Sequence, residues 1–388
     1  MDSVRRNYRS FDIVLLVLVI AMSAFGILMV GSTTGLGDGV MSSTFISQLI
    51  FASAGVGVML IAAFINYETI CKLWLPIYGV CILLLIIVLF MPPINNVNRW
   101  IGIPIGDTVL GVQPSEFAKI FLIIFLAKLI DKYKERINNP LILLMVVGSV
   151  ALPVLLISIQ PSLSASTIPV AIMVIMLFVG KISYKYIIIT ALIVIPFMVF
   201  FWIELHLENP LILGNILEEW QFNRIWSFFY PEPGSDLLFQ NEWAERALQS
   251  GMLTGQGLFQ NTFFVPDAPN DFIFSIIGAE LGFLGSLAVL IVMFAIVVRC
   301  FMVAHRSQVF LGKLIAAGAG GAIAFQTFVH VGVNTWMLPN TGIGLPFVSS
   351  GGSSMWVFMA LIGLVINVGM TQEYSMFDDF GGKGAKKA

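Results

Sequence analysis

Few side chains in this 388-residue sequence can carry chemistry, and they stand out because only 11% of its residues are charged. Asp271 opens the apolar run DFIFSIIGAELGFLG. A carboxylate at the rim of such a run, partly withdrawn from water, can accept a proton near neutrality and act as a general base. The same aspartate can instead cap the helix that follows, accepting its first free N–H groups and complementing its dipole. Glu116 and Lys119, in GVQPSEFAKIFLIIFLAK, lie three apart, so they share a helical face and can pair. Ionisable groups inside an apolar segment are costly, so this pair is either functional or a structural ion pair that fixes packing. Arg99, beside Trp100 in NNVNRWIGI, can anchor the chain at a membrane interface or hold an anionic group. Gly342, Gly344, Pro346 and the run SSGGSS at 349–354 combine helix breakers with small hydroxyl residues, Ser349 and Ser353 among them. Such a segment either permits close helix packing or forms a broken helix that lines a cavity.

The elements that must position these residues are apolar. The chain is 58% hydrophobic, has 20 Lys and Arg against 22 Asp and Glu, and carries a net charge of -2. A soluble domain is about 45–50% apolar and about 25% charged, so a soluble fold and a disordered chain are excluded. Nothing in the charge balance suggests an electrostatic nucleic-acid binder. Ten runs are long enough to cross a hydrocarbon core of about 30 Å as helices. They fall near 11–31, 45–66, 70–91, 114–130, 139–160, 163–180, 184–205, 271–298, 312–336 and 345–369. None alternates strictly, which excludes a membrane barrel. The expected fold is therefore an all-α polytopic integral membrane protein.

Lys and Arg in alternate loops set the orientation. Sixteen of the 20 fall on one side; Arg99, Arg224 and Arg246 fall on the other, and Lys119 lies within a span. Both termini are expected to be cytoplasmic, with residues 1–370 forming one transmembrane domain and 371–388 a flexible cytoplasmic tail. The three cysteines fall in or at the ends of spans, which argues against a disulfide framework. His206, His305 and His330 are scattered without metal-ligand spacing and read as packing residues. The long outer segment 206–270 is too long for a simple connection and reads as a functional loop or small folded module. It holds the aromatic run Trp220–Tyr230, a helix-like stretch at Gln240–Gln249 and a glycine turn at Gly251, Gly255 and Gly257.

Several strings recur in a fixed order: NRWIGI at 98–103, VQPSEFAK at 112–119, QPSLSAS at 160–166, NRIWSFFYPE at 223–232, LQSGMLTGQGL at 248–258, VPDAPNDFIFSIIGAELGFLG at 265–285 and MLPNTGIGLPFVSSGGSS at 337–354. In this combination the chain, from about Phe11 to Met370, resembles the SEDS family of bacterial shape, elongation, division and sporulation proteins, typified by RodA, FtsW and SpoVE. The resemblance implies a ten-span peptidoglycan glycosyltransferase of the bacterial cytoplasmic membrane. Such an enzyme polymerises lipid II on the outer face, with a class B penicillin-binding protein as partner. It maps the family's essential aspartate onto Asp271, its cavity Glu and Lys onto Glu116 and Lys119, its RW arginine onto Arg99 and its loop arginine onto Arg224. In that chemistry an acceptor sugar 4-hydroxyl attacks an anomeric carbon while a polyprenyl pyrophosphate leaves. Asp271 would take the hydroxyl proton. Arg99, Lys119, Arg224, Arg246 or a bound divalent cation, Mg or Mn, would stabilise charge on the pyrophosphate. Ser349 and Ser353 would contact substrate. The chain departs from the family pattern at Ser162, at Asp267 to Asn270, and at Ala279, His330 and Ser350. Two rivals follow: a lipid flippase, which should need polar groups through the full depth of the bilayer, and an inactive scaffold that recruits a synthase.

Overall fold

The computed structural model describes residues 5–6, 10–92, 98–105, 108–160, 163–205, 219–231, 236–260 and 263–372. In chain order these form β1 (Arg5–Arg6), α1 (Ile13–Thr33), α2 (Ser43–Phe64), α3 (Tyr67–Lys72) and α4 (Trp74–Ile87). Next come β2 (Ile101–Ile105), β3 (Thr108–Val112), α5 (Pro114–Lys132), α6 (Pro140–Ile159), α7 (Leu163–Val179) and α8 (Tyr184–Leu205). The outer segment contributes α9 (Glu219–Phe229) and α10 (Asp236–Ser250), and α11 (Ile273–Arg306), α12 (Phe310–Asn334), α13 (Gly352–Met370) and β4 (Thr371–Gln372) close the chain. Seven of these helices (α1, α2, α6, α8, α11, α12 and α13) are long and apolar enough to cross a membrane. The shorter α4, continued by a 3-10 turn to Phe90, and α7 are equally apolar. Helix α5 has the length but carries Glu116, Lys119, Lys128, Asp131 and Lys132. The chain is an all-helical polytopic membrane protein.

Local sequence explains the helix starts. Asp12, Ser42, Asn66 and Asn139 each accept a backbone N–H from the first turn of α1, α2, α3 and α6, and Pro140 occupies the position where its missing N–H costs nothing. Three expected spans take a different shape. The run near 70–91 is two helices divided at Leu73. The run near 271–298 extends to Arg306 and is kinked at Gly282, whose φ of 67° only glycine adopts cheaply. The last span begins at Gly352 rather than near 345, because residues 341–351 are not helical.

Helices α12 and α13 are the inner ones and α8 is the outermost. Gly363 of α13 lies so close to α2 that a Cβ there would collide with the Met59 carbonyl. Small residues allow this approach, and dispersion then replaces the hydrophobic drive that lipid does not provide. Asn367 of α13 donates to the carbonyls of Ala62 and Ala63 at 3.0 and 2.9 Å and to that of Ile65, satisfying groups freed at the end of α2. Along α8, Leu192, Ile193, Ile195, Phe197 and Met198 are exposed, as suits a face turned to acyl chains. The antiparallel pairing of β1 with β4 brings both chain ends to one end of the bundle.

Candidate functional site

At the opposite end the irregular backbone of 341–351 folds inward. Irregular backbone at membrane depth is tolerated only where it is buried in protein or lines a cavity, so its peptide groups need partners. Helix α12 supplies two of them, Gln326 and His330, which lie four apart on one stripe with Asn334. Gln326 donates to the Gly344 carbonyl at 2.8 Å, and His330 Nδ1 contacts the Ile343 carbonyl at 2.7 Å. From α2, Gln48 donates to the Ser349 carbonyl at 3.2 Å and accepts from the Gly351 N–H at 3.3 Å. Ser349 Oγ accepts from the Leu345 N–H at 2.7 Å and donates to the Asn270 carbonyl at 2.6 Å. The Ser350 N–H donates to Pro269 at 2.8 Å. The segment is thereby tied to the turn that precedes α11.

That turn carries Asp271. Its N–H donates to the Asp267 carbonyl at 3.1 Å, and its own carbonyl accepts from Asn334 Nδ2 at 2.9 Å. Phe272, not Asp271, occupies the cap position of α11, and the Phe272 side chain makes no cap hydrogen bond. Asn334 does that work from α12: its Oδ1 accepts from the N–H and hydroxyl of Ser275 at 3.0 and 2.8 Å. The Asp271 carboxylate instead lines a cavity of about 350 Å³ together with Arg99, Glu116, Asp267, Ser349 and Ser353. A Cβ at Gly342, where φ is 66°, would lie 3.4 Å from Asp271 Oδ2, so the backbone there passes close to the carboxylate.

Arg99 enters from the loop before the β2–β3 hairpin, in which Trp100 lies against Gly111. Its Nε is buried without a hydrogen-bond partner among the described residues. Glu116 sits in the first turn of α5 and accepts from Lys119 Nζ at 2.8 Å. Lys119 does not line the cavity. It is 1% exposed, donates also to Gln326 Oε1 at 2.7 Å and lies 4.8 Å from the centre of the Phe358 ring. The lysine thus holds Glu116 and Gln326, and through Gln326 the Gly344 carbonyl, from beneath the cavity floor. Ser353 Oγ accepts from the Gln113 N–H at 3.0 Å, locking α13 to the start of α5.

Of the remaining sequence candidates, Arg246 is not brought to this cavity. Arg246 of α10 pairs with Glu242 at 3.7 Å, lies 5.4 Å from the Trp243 ring and is 59% exposed. Arg224 falls on α9, and its side chain lies outside the described residues, as do His206, Ser162, most of the acids of 206–235 and the tail beyond Gln372. The glycine turn serves packing: a Cβ at Gly251 would strike the Gly278 carbonyl, and one at Gly255 the Glu280 carbonyl. Buried Glu280 accepts from Ser32 and from the Phe259 N–H, holding this turn against the kink of α11. Sequence reasoning passed over Gln48, Gln326 and Asn334. Their signal was available in polar side chains within apolar spans, the last two with His330 on one face. Among the described residues no three His, Cys, Asp or Glu side chains cluster to hold a metal ion, so no step below is routed through one.

Comparison with known proteins places this geometry. The family model described as cell cycle protein, FtsW/RodA/SpoVE, matches residues 12–374. The chain belongs to that family. It is 31% identical over 387 residues to the probable peptidoglycan glycosyltransferase FtsW of Trichlorobacter lovleyi, covering 95% of this chain and 96% of that one. It is 29% identical to the stage V sporulation protein E of Bacillus subtilis, covering 94% and 98%. Its fold matches a chain from a peptidoglycan synthase complex that coordinates polymerisation and crosslinking, with a TM-score of 0.76 at 24% identity, over 92% of this chain and 97% of the other. In this FtsW/RodA/SpoVE member one cavity thus brings together a carboxylate, Asp271, and a guanidinium, Arg99.

Proposed function

We propose that this chain is a peptidoglycan glycosyltransferase that polymerises lipid II at the outer face of a bacterial cytoplasmic membrane. The observation that carries the reading is the position of Asp271 and Arg99 on one cavity at one end of the bundle, in a chain whose relatives are named for this activity. Asp271 accepts the proton of the acceptor 4-hydroxyl as its oxygen attacks the anomeric carbon, a contribution typically of 10²–10⁴-fold. Arg99 faces the pyrophosphate leaving group, and its unpaired Nε is a donor free for a phosphoryl oxygen. Glu116, held by Lys119, orients sugar hydroxyls, and Ser349 and Ser353 fix the cavity wall.

Ten spans fit this reading: the seven long apolar helices, α5, α7, and the broken pair α3–α4. An even count agrees with β1 pairing with β4, and the excess of Lys and Arg at that end makes it cytoplasmic. The segment 206–270 is then extracytoplasmic, and a class B penicillin-binding protein is the partner, as the synthase complex with the matching fold suggests. A flippase is disfavoured because the polar lining of this cavity stays near one end of the bundle rather than running through its depth. The purified full chain, alone and with its partner synthase, should convert labelled lipid II to polymer. A folded protein that makes none under either condition would overturn the assignment.

A further inference from the structure

The cytoplasmic end holds a second cavity, of about 380 Å³, lined by Ser10, Asp12, Arg299, Arg306, Ser307 and Thr371 among others. It lies far from the first. Asp12 stands at the start of α1 and Ser32, which contacts Glu280 near the other cavity's end of α11, stands near its finish. Twenty residues of helix separate them by about 30 Å.

We propose that this cavity binds the phosphate group of an anionic ligand, whether the headgroup of an inner-leaflet phospholipid or a free phosphate compound. Arg299 donates to Asp12 Oδ1 at 2.6 Å through one terminal nitrogen, while its Nε is buried without a partner among the described residues. The Asp12 oxygen it meets is already in use, since the Leu15 N–H caps α1 on the same atom at 2.9 Å. Arg306, about two turns further along α11, is exposed and forms no ion pair among the described residues. Two guanidinium groups therefore face a cavity whose single carboxylate is occupied. Their planar forks match a phosphate better than any other common anion except a carboxylate. The volume lies within the usual range of about 300–1,000 Å³ for ligand sites. The β1–β4 pairing brings the main chain of Arg6 beside Thr371 at the cavity wall. Basic pockets between helices at a cytoplasmic membrane face are suited to phosphate headgroups. Nothing in this inference depends on glycosyltransferase activity.

The test uses the full-length protein, delipidated in detergent, and native mass spectrometry with phosphatidylglycerol, diacylglycerol of the same acyl chains, or inorganic phosphate. Phosphatidylglycerol should be retained over diacylglycerol by about tenfold, as charge-assisted contacts to one phosphate permit. Arg306→Gln and Arg299→Lys should each weaken retention, while Lys185→Gln, an exposed cation on another helix, should not. Arg299→Lys keeps the charge opposite Asp12 and removes the Nε donor, and Arg306→Gln alters only an exposed side chain, so both should melt like the parent protein. If inorganic phosphate binds with the same sensitivity and displaces the lipid, the ligand is a free phosphate compound; if it does not, the ligand is a lipid headgroup. Equal retention of phosphatidylglycerol and diacylglycerol with no phosphate binding, or retention untouched by both arginine substitutions, would overturn the proposal.

Discussion

Two ion pairs stand at opposite ends of the bundle, Glu116–Lys119 at 2.8 Å and Asp12–Arg299 at 2.6 Å. In the first the cation is sealed, with Lys119 1% and Glu116 13% exposed. In the second the acid is the more enclosed partner, with Asp12 9% and Arg299 29% exposed. What else each buried group must hold explains the inversion. Lys119 has three donors and spends two on Glu116 and Gln326, so the carboxylate is left facing the cavity. Asp12 spends one oxygen on the cap of α1 and on Arg299, so the guanidinium is left facing outward. One cavity is accordingly lined by Asp271, Asp267 and Glu116 with Arg99 as its sole cation among the described residues, and the other by two arginines. The first suits sugar hydroxyls and a proton to be removed; the second suits phosphate.

The comparison breaks most sharply at Asp271. Asparagine keeps the shape of aspartate and caps a helix about as well, so Asp271→Asn should leave the melting temperature near that of the parent. Asparagine cannot take a hydroxyl proton, so polymerisation of lipid II should fall by about 10²-fold or more. A well-folded Asp271→Asn protein with full polymer yield would remove the acid-lined cavity from the chemistry.

Next in size is the hidden cation. Lys119→Met leaves Glu116 uncompensated and Gln326 without its partner, and losing one member of a buried pair costs about 3–5 kcal/mol. The variant should melt earlier and polymerise poorly. Adding Glu116→Gln should recover most of the stability, because two neutral side chains can share the site, but not the activity if Glu116 orients substrate. Recovery of both would make the pair purely structural. Arg99→Gln should lower activity more than stability, since the Arg99 Nε is buried without a hydrogen-bond partner among the described residues. About tenfold lower kcat/KM is expected from one missing charged donor, with Arg99→Lys in between.

The sequence discloses much of this, and its failures have physical causes. Span positions follow from apolar length alone, and the Glu116–Lys119 contact follows from a spacing of three. Which of the pair meets the cavity does not follow, because that depends on Gln326 and Phe358, more than 200 residues away in the chain. Nor does the cap position follow: it falls on Phe272 rather than Asp271, and Asn334 of another helix accepts the Ser275 N–H. The last span starts at Gly352 rather than 345 because the apolar stretch 345–348 is not helical, Gly342 and Phe347 both taking positive φ. The breakers of this segment point to a broken helix lining a cavity, and the partners that hold it lie elsewhere in the chain. The β2–β3 hairpin, with five residues in each strand, is too short for alternation to register.

The smallest effect expected is at Arg246. By residue type and side of the membrane it was as good a candidate for the leaving group as Arg99, and the structure separates the two. Arg99 is part of the cavity wall, whereas Arg246 lies along the exposed face of α10 between Glu242 and Trp243. Exposed pairs of this kind are worth little, about 0–1 kcal/mol, and are screened by salt. Arg246→Gln should therefore lower polymer yield by less than about twofold and leave the melting temperature within about a degree or two, since its partners keep their water contacts. Measuring it beside Arg99→Gln in the same lipid II assay makes the contrast quantitative. A loss at Arg246 as large as that at Arg99 would mean that α10 swings over the cavity once substrate is bound, and the outer site would then comprise a moving cation as well as a fixed one.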